Sequence, residues 1–274
     1  MTVIDDLGGS ISESAATQRR LWSADPEGWA AFSEPHTRPL FLAVLDAVGA
    51  APGIRLLDLG CGTGLLAALA HRRGAEVVGL DIAPALLAVA DRLVPEAELH
   101  VADLQRLPFA DGSFDAVTAV NAFQFAADSL AAISEAARVL KPGGRLGVGL
   151  FAEPERAEST VVHHAMSRLS PPARAGDHAP YALSEGDNLA GALRSAGLTV
   201  ADGGEVECVW AYRSPDDAVR GLMGSAGGTR AVEDAGAEAV AAAIRGALVP
   251  FTDGAGAVAM RNIFRWMLAT KPEA

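Results

Sequence analysis

A short run of acids and glycines has the residue types and spacing to do chemistry. Leu56-Leu57-Asp58-Leu59-Gly60-Cys61-Gly62-Thr63-Gly64 is an apolar stretch that ends in an acid and breaks into alternating glycines, before Leu65-Leu66 resumes it. The pattern reads as a strand, a tight glycine turn and a helix N-terminus. Backbone N–H groups there meet a small polar ligand that a Cβ would obstruct. Asp58 stands two residues before Gly60. A carboxylate at that place opposes a pyrophosphate and suits a ligand carrying a cationic ammonium. The turn is G-x-G-x-G, so the strict dinucleotide pattern G-x-G-x-x-G is not met. A second apolar run, Glu76 to Leu80, ends in Asp81, seventeen residues past Gly64. That is about the separation at which a βαβ unit brings a carboxylate to a ribose hydroxyl pair.

Histidine is the natural general base near neutral pH, and the chain has six. His36 follows Trp29 and Phe32 in an aromatic N-terminal stretch and is the first candidate for a base or an acceptor contact. His163 and His164 are the next. As neighbours on a helix they point apart, so at most one faces a given pocket. His178, near Tyr181, ranks below them, and His71 and His100 read as structural. Cys61 fills a small, tight position in the glycine turn rather than acting as a nucleophile. Glu153 reads as an exposed loop acid.

The elements that must position these groups alternate. Residues 37–49 have apolar positions at helical spacing and are stopped by Gly49 and Pro52-Gly53. Strands are expected at Arg55–Leu59, Glu76–Leu80, Leu99–Ala102, Phe114–Val120 and Arg145–Phe151. Helices are expected over about 64–73, from Pro84 to Leu93, and over 129–140 behind Asp128. Near-continuous apolar strands are buried on both faces, so the sheet should be largely parallel with helices on both sides. Gly60, Asp81, Asp103 and Asn121 each fall just past a strand end. Ligands of such sheets bind at that carboxyl edge.

Residues 1–15 read as weakly ordered, and residues 18–36, with Trp22, Trp29 and Phe32, as a helical cover. Residues 152–183 and 213–250 read as cap segments. The second starts with a strong helix signal at Ser214-Pro215-Asp216-Asp217 and continues into an Ala-rich helix over about 231–248. The domain expectation is therefore a cover at 1–36, a core at 37–151, a cap insertion at 152–183, and the rest of the core at 184–274 with a second cap segment at 213–250. Long insertions on a rigid scaffold are where substrate choice resides.

The chain has 274 residues, 50% of them apolar, enough for one large domain with a full core. Its net charge of -12 argues against a nucleic-acid or anionic-membrane partner. Its two cysteines make no disulfide framework and suit a reducing, cytoplasmic compartment. The acidic start, Met1 to Asp6, lacks the basic and apolar parts of a signal peptide.

Four stretches in order resemble the class I S-adenosylmethionine-dependent methyltransferases, in the branch of quinone-biosynthesis and small-molecule natural-product methylases. They are Leu57 to Gly64, Gly79-Leu80-Asp81-Ile82, Ala102-Asp103-Leu104 with Leu107-Pro108-Phe109, and Leu140-Lys141-Pro142-Gly143-Gly144. The resemblance implies an α/β fold with a Rossmann-like, seven-stranded, mostly parallel sheet whose last strand is antiparallel, with helices on both faces and a helical cap. Leu198–Val209 and Gly256–Leu268 fit its last two strands. It implies S-adenosyl-L-methionine as cofactor. Gly60, Cys61, Gly62 and Gly64 would carry its methionine end with Asp58 nearby. Asp81 would take the ribose, Ile82 an adenine face, Asp103 the adenine amino group with Leu104 offering backbone, and Asn121 would lie near the sulfonium. With Asp58, Asp81 and Asp103 so used, no acidic cluster remains for a metal, and no His/Cys spacing suggests zinc. The expected activity is methyl transfer to oxygen, nitrogen or carbon of a small-molecule acceptor in secondary metabolism, by a monomer or homodimer. A cyclase or isomerase that keeps the cofactor without transferring its methyl group would show the same motifs.

Overall fold

The computed structural model describes residues 3–7, 11–171 and 181–273. The elements run β1 (Ile4–Asp5), α1 (Glu13–Trp22), α2 (Pro26–Phe32), α3 (Arg38–Val48), β2 (Arg55–Leu59), α4 (Leu65–Arg72), β3 (Glu76–Asp81), α5 (Pro84–Leu93), β4 (Glu98–Val101), β5 (Phe114–Val120), α6 (Ser129–Val139) and β6 (Leu140–Phe151). They continue with α7 (Thr160–Ser167), α8 (Asn188–Ser195), β7 (Thr199–Tyr212), α9 (Pro215–Met223), α10 (Ala226–Ala235), α11 (Ala237–Leu248) and β8 (Val258–Thr270). One sheet holds all the strands in the order β1-β4-β3-β2-β5-β6-β8-β7. Neighbours are parallel except that β8 runs antiparallel to both β6 and β7.

The expected Rossmann-like architecture is present, with an eighth strand. Ile4 and Asp5 pair with His100 and Val101 and extend the sheet beyond β4. Asp6 N–H donates to Val101 O (3.0 Å). The His100 ring is shared between Asp6 (2.5 Å) and Glu98 (2.8 Å), which holds the added strand. This corrects the reading of the first fifteen residues as weakly ordered throughout.

Strands apolar along their whole length bury both faces here. One face packs α3, α4 and α5 through Leu40, Val44, Leu45, Leu66 and Leu87; the other packs α6 and α8 through Ile133, Leu189 and Leu193. Three helices carry side-chain caps, the first two of them expected from sequence. Asp128 accepts from Ala131 N–H (3.0 Å), Ser214 from Asp217 N–H (3.1 Å) and Ser225 from Gly228 N–H (3.1 Å).

β7 and β8 continue as a two-stranded ribbon past the end of β6. Phe151 pairs with Phe264, whereas the β7–β8 pairing goes on to Tyr212 and Val258. A third apolar cluster forms on this extension from Val162 and Met166 of α7, Val219 and Leu222 of α9, and Val240, Ile244 and Leu248 of α11. The two cap segments of the sequence thus pack on each other. The single Ala-rich helix expected over 231–248 is divided at Gly236, whose φ of 84° separates α10 from α11. No helix among the described residues is long and apolar enough to cross a membrane.

Candidate functional site

The site begins where β2, in the middle of the sheet, runs out. Gly60, Gly62 and Gly64 all have positive φ (69°, 56° and 87°), a region that L side chains avoid. Gly60 and Cys61 N–H both donate to Leu80 O (2.8 and 3.0 Å), folding the turn over the end of β3. A Cβ on Gly64 would lie 2.9 Å from Ala90 Cβ, so this glycine lets α4 start against α5. A Cβ on Gly60 would lie 2.7 Å from Ala122 Cβ, which brings the turn after β5 against the same spot. Cys61 is buried with its Sγ 3.0 Å from where a Gly79 Cβ would stand. Burial, with Asp81, Asp58 and Glu34 adding to it, lifts its thiol well above the ordinary range, so it packs as a neutral group.

Three carboxyl groups converge on this turn. Asp81 Oδ2 accepts from Gly62 N–H (3.0 Å) and Oδ1 from Ala83 N–H (2.9 Å). Asp58 Oδ1 accepts from Thr118 Oγ1 (2.9 Å), while its Oδ2 is buried with no partner. The third acid, Glu34, was not singled out from sequence. It lies between α2 and α3, is 6% exposed, and accepts from Thr63 N–H (3.1 Å) and from the Thr63 hydroxyl. Burial pushes Asp58 up to about 8 and Glu34 up to about 7, with the neighbouring acids adding to both, and burial also raises Asp81. The charges acting on these groups are one another's. Carboxylates taken out of water without a counter-ion favour a cation.

The remaining candidates for cofactor binding line the same edge. Ile82 is partly accessible just past β3. Ala102 N–H donates to Asp81 O (3.2 Å), which sets Asp103 beside that strand end. The Asp103 carboxylate accepts from Gln105 N–H (2.9 Å), so it closes a local turn, and Leu104 packs on the core. Asn121 has a φ of 51°, positive for a residue other than glycine. Strained backbone of this kind concentrates at functional sites. Its N–H donates to Gly149 O (2.8 Å), and beside it Gln124 keeps a buried, unpartnered Oε1.

The N-terminal cover is closed over the edge. Trp22 packs edge-on against Trp29 (4.9 Å between ring centroids) and against Phe125 of the turn after β5 (5.5 Å). His36 follows Glu34 by two residues. Its Nε2 is 2.9 Å from Ala211 O, and a carbonyl only accepts, so Nε2 carries the hydrogen. Nδ1 then carries the lone pair; it is buried with no hydrogen-bond partner, and the Ser33 backbone also acts on the ring. Burial lowers the His36 pKa, leaving the ring neutral near pH 7.

His163 stands near the same Trp210 as His36. The rings lie 6.4 Å and 6.1 Å from Trp210 respectively. His163 Nδ1 is 3.2 Å from Tyr181 Oη, and its ring meets Phe151 edge-on at 6.1 Å. The residue is half-buried, and burial, with the neighbouring His164 adding to it, pulls its pKa down to about 4. His164 is exposed and turned away. His178 lies outside the described residues. Glu153 is ion-paired to Arg265 (2.6 Å). Of these surroundings the sequence reading omitted Glu34, Trp210 and Tyr212; the last two sit where β7 runs three residues longer than expected.

The residues fit a cationic cofactor. The three glycines let the turn pack closely on Ala122, Glu34 and Ala90, the Asp58 Oδ2 atom has no partner, and among the described residues no cationic side chain acts on the three acids. Among the described residues no group of three or more His, Cys, Asp or Glu side chains is placed to hold a metal.

Comparison with known proteins agrees. Residues 57–148 match the family model described as "Methyltransferase domain". A demethylmenaquinone methyltransferase of Beutenbergia cavernae is 41% identical over 142 residues, 51% of this chain and 59% of that protein. The chain thus spans little more than half the length of this curated relative. A ubiquinone biosynthesis O-methyltransferase of Xanthomonas campestris pv. campestris is 35% identical over 202 residues, 70% of this chain and 81% of that protein. The crystal structure of the [4+2]-cyclase SpnF shares the fold, with a TM-score of 0.58 and 24% identity over 90% of this chain and 84% of that one. The chain belongs to the class I S-adenosylmethionine-dependent methyltransferases.

Proposed function

We propose that the chain methylates a small, uncharged, ring-containing acceptor, with the cofactor at the glycine turn and the acceptor beside Trp210. The observation that carries this reading is the set of three buried acids around the glycine turn, with no cationic side chain acting on them among the described residues. In it, Gly60, Gly62 and Gly64 give backbone contact, and Asp58 and Asp81 hold the charged and hydroxylated parts of the cofactor, with Ile82, Asp103, Leu104 and Asn121 along the adenosine side. When bound, the cofactor supplies an electrophilic methyl group. The chain's part is to hold the acceptor in line and keep water out, so proximity carries most of the rate.

His36 Nδ1 takes the acceptor's proton. Its tautomer is set by Ala211 O, its Nδ1 lone pair accepts no hydrogen bond, and its neutral form prevails near pH 7. His163, paired with Tyr181, orients the acceptor beside Trp210. Aromatic walls and neutral imidazoles suit a hydroxylated ring better than a phosphorylated substrate. The names of the two relatives, both of quinone biosynthesis, support a quinol-like acceptor; rings of this size and polarity also occur in secondary metabolism. Both cysteines are buried and unpaired, which suits the reducing cytoplasm.

The test is turnover with methyl-labelled S-adenosylmethionine and a panel of quinols, phenols and enols. The expected result is label in one acceptor and one S-adenosylhomocysteine per product. Conversion without S-adenosylhomocysteine would favour a cyclase or isomerase on the same scaffold. His36→Ala should lower kcat by about 10²–10⁴ with cofactor affinity unchanged; an unchanged kcat would remove His36 from the base role.

A further inference from the structure

Glu34 is the least explained group at the site. It comes from the N-terminal cover, outside the sheet scaffold, and reaches 29 positions along the chain to Thr63. Its Oε1 lies 2.9 Å from the point a Cβ on Gly62 would occupy, so it stands in the space that this glycine leaves free. A structural clamp between cover and turn needs only a hydroxyl or an amide. A carboxyl group, 6% exposed and acted on by Asp81, is a costly choice for that role. Next to it the buried Asp58 Oδ2, 2% exposed as a residue, has no hydrogen-bond partner. Two carboxyl groups within electrostatic reach of each other, one with an unused oxygen, describe a receptor for a compact cation with several N–H donors.

We propose that Glu34 binds the α-ammonium of the cofactor's methionyl end, together with Asp58, and so makes the N-terminal cover part of the cofactor site. The inference rests on the cofactor placement proposed above. The ammonium is the better match of the cofactor's two cationic centres. A sulfonium has no N–H to donate, and a carboxylate touching it would compete with the acceptor as nucleophile for the methyl group. The ammonium offers three donors and is inert. Because His36 follows Glu34 by two residues and is anchored to Ala211, the same contact fixes the base when the cofactor binds.

Calorimetric titration of the full chain with S-adenosylmethionine, S-adenosylhomocysteine and 5′-methylthioadenosine tests this. The last ligand keeps the adenosine but has neither ammonium nor carboxylate. Glu34→Gln is expected to weaken the first two ligands at least tenfold and the third less than twofold, with an unchanged or raised melting temperature. Glu34→Asp, which keeps the charge, is expected to hold more affinity than Glu34→Gln. Equal weakening for all three ligands, no weakening, or weakening confined to S-adenosylmethionine would each overturn the assignment. If the unaltered chain failed to bind S-adenosylmethionine, the cofactor placement itself would fall.

Discussion

Three acids share one small volume at the glycine turn, and their protons decide how the site behaves with pH. Glu34 titrates at about 7 and Asp58 at about 8, each raised by burial and by the other acids. In the unfolded chain both revert to about 4. The folded state therefore holds more protons than the unfolded state between about pH 4 and pH 8. Their contribution to stability is fully present below that window and is lost as pH rises through it. Thermal melting of the unliganded protein should fall between pH 6 and pH 8, and Asp58→Asn should flatten that slope; a melting temperature that rises over the same range would contradict the acid cluster. At Asn121, the positive φ of 51° suits Asn better than most side chains. Asn121→Val should cost about 1–3 kcal/mol, read by chemical denaturation.

The elements that carry the site differ in how plainly the sequence announces them. The bounds of β2, Arg55–Leu59, are plain in the sequence because an apolar run meets an acid and a glycine there. Pro84, Asp128 and Ser214 mark helix starts through the local chemistry of proline and capping side chains. The missed features depend on partners distant in sequence. β1 is two residues long and exists because β4 offers a free edge. β7 runs on to Tyr212 because β8 pairs with it to Val258, which brings Trp210 near both His36 and His163. Glu34 sits in a turn without periodicity, and only the folded chain sets it on Thr63. At this scale, Gly64→Ala should destabilise the chain by about 1–3 kcal/mol and abolish cofactor binding, since φ is 87° and the added Cβ meets Ala90. Ser214→Ala should cost about 0.5–2 kcal/mol by removing the α9 cap, with cofactor affinity unchanged.

Across the whole molecule, the proposed function puts the cofactor at the edge of the sheet and the acceptor between the cover and the cap. The cover reaches both, through Trp22 on Phe125, Glu34 on Thr63 and His36 on Ala211. Cofactor binding should therefore slow amide exchange across residues 13–37 as well as in the glycine turn, while the far face of α6 is unaffected. Exchange that slows only in the turn would show the cover to be a bystander. The central claim is that the glycine turn and its acids form a binding site for a cation, and calorimetry of the unaltered chain with S-adenosylmethionine near pH 7 tests it most directly. Run in two buffers of different ionisation enthalpy, the titration should show one site per chain and net release of protons, with affinity rising from pH 6 to pH 7.5. Absence of binding, or binding with no proton released, would contradict it.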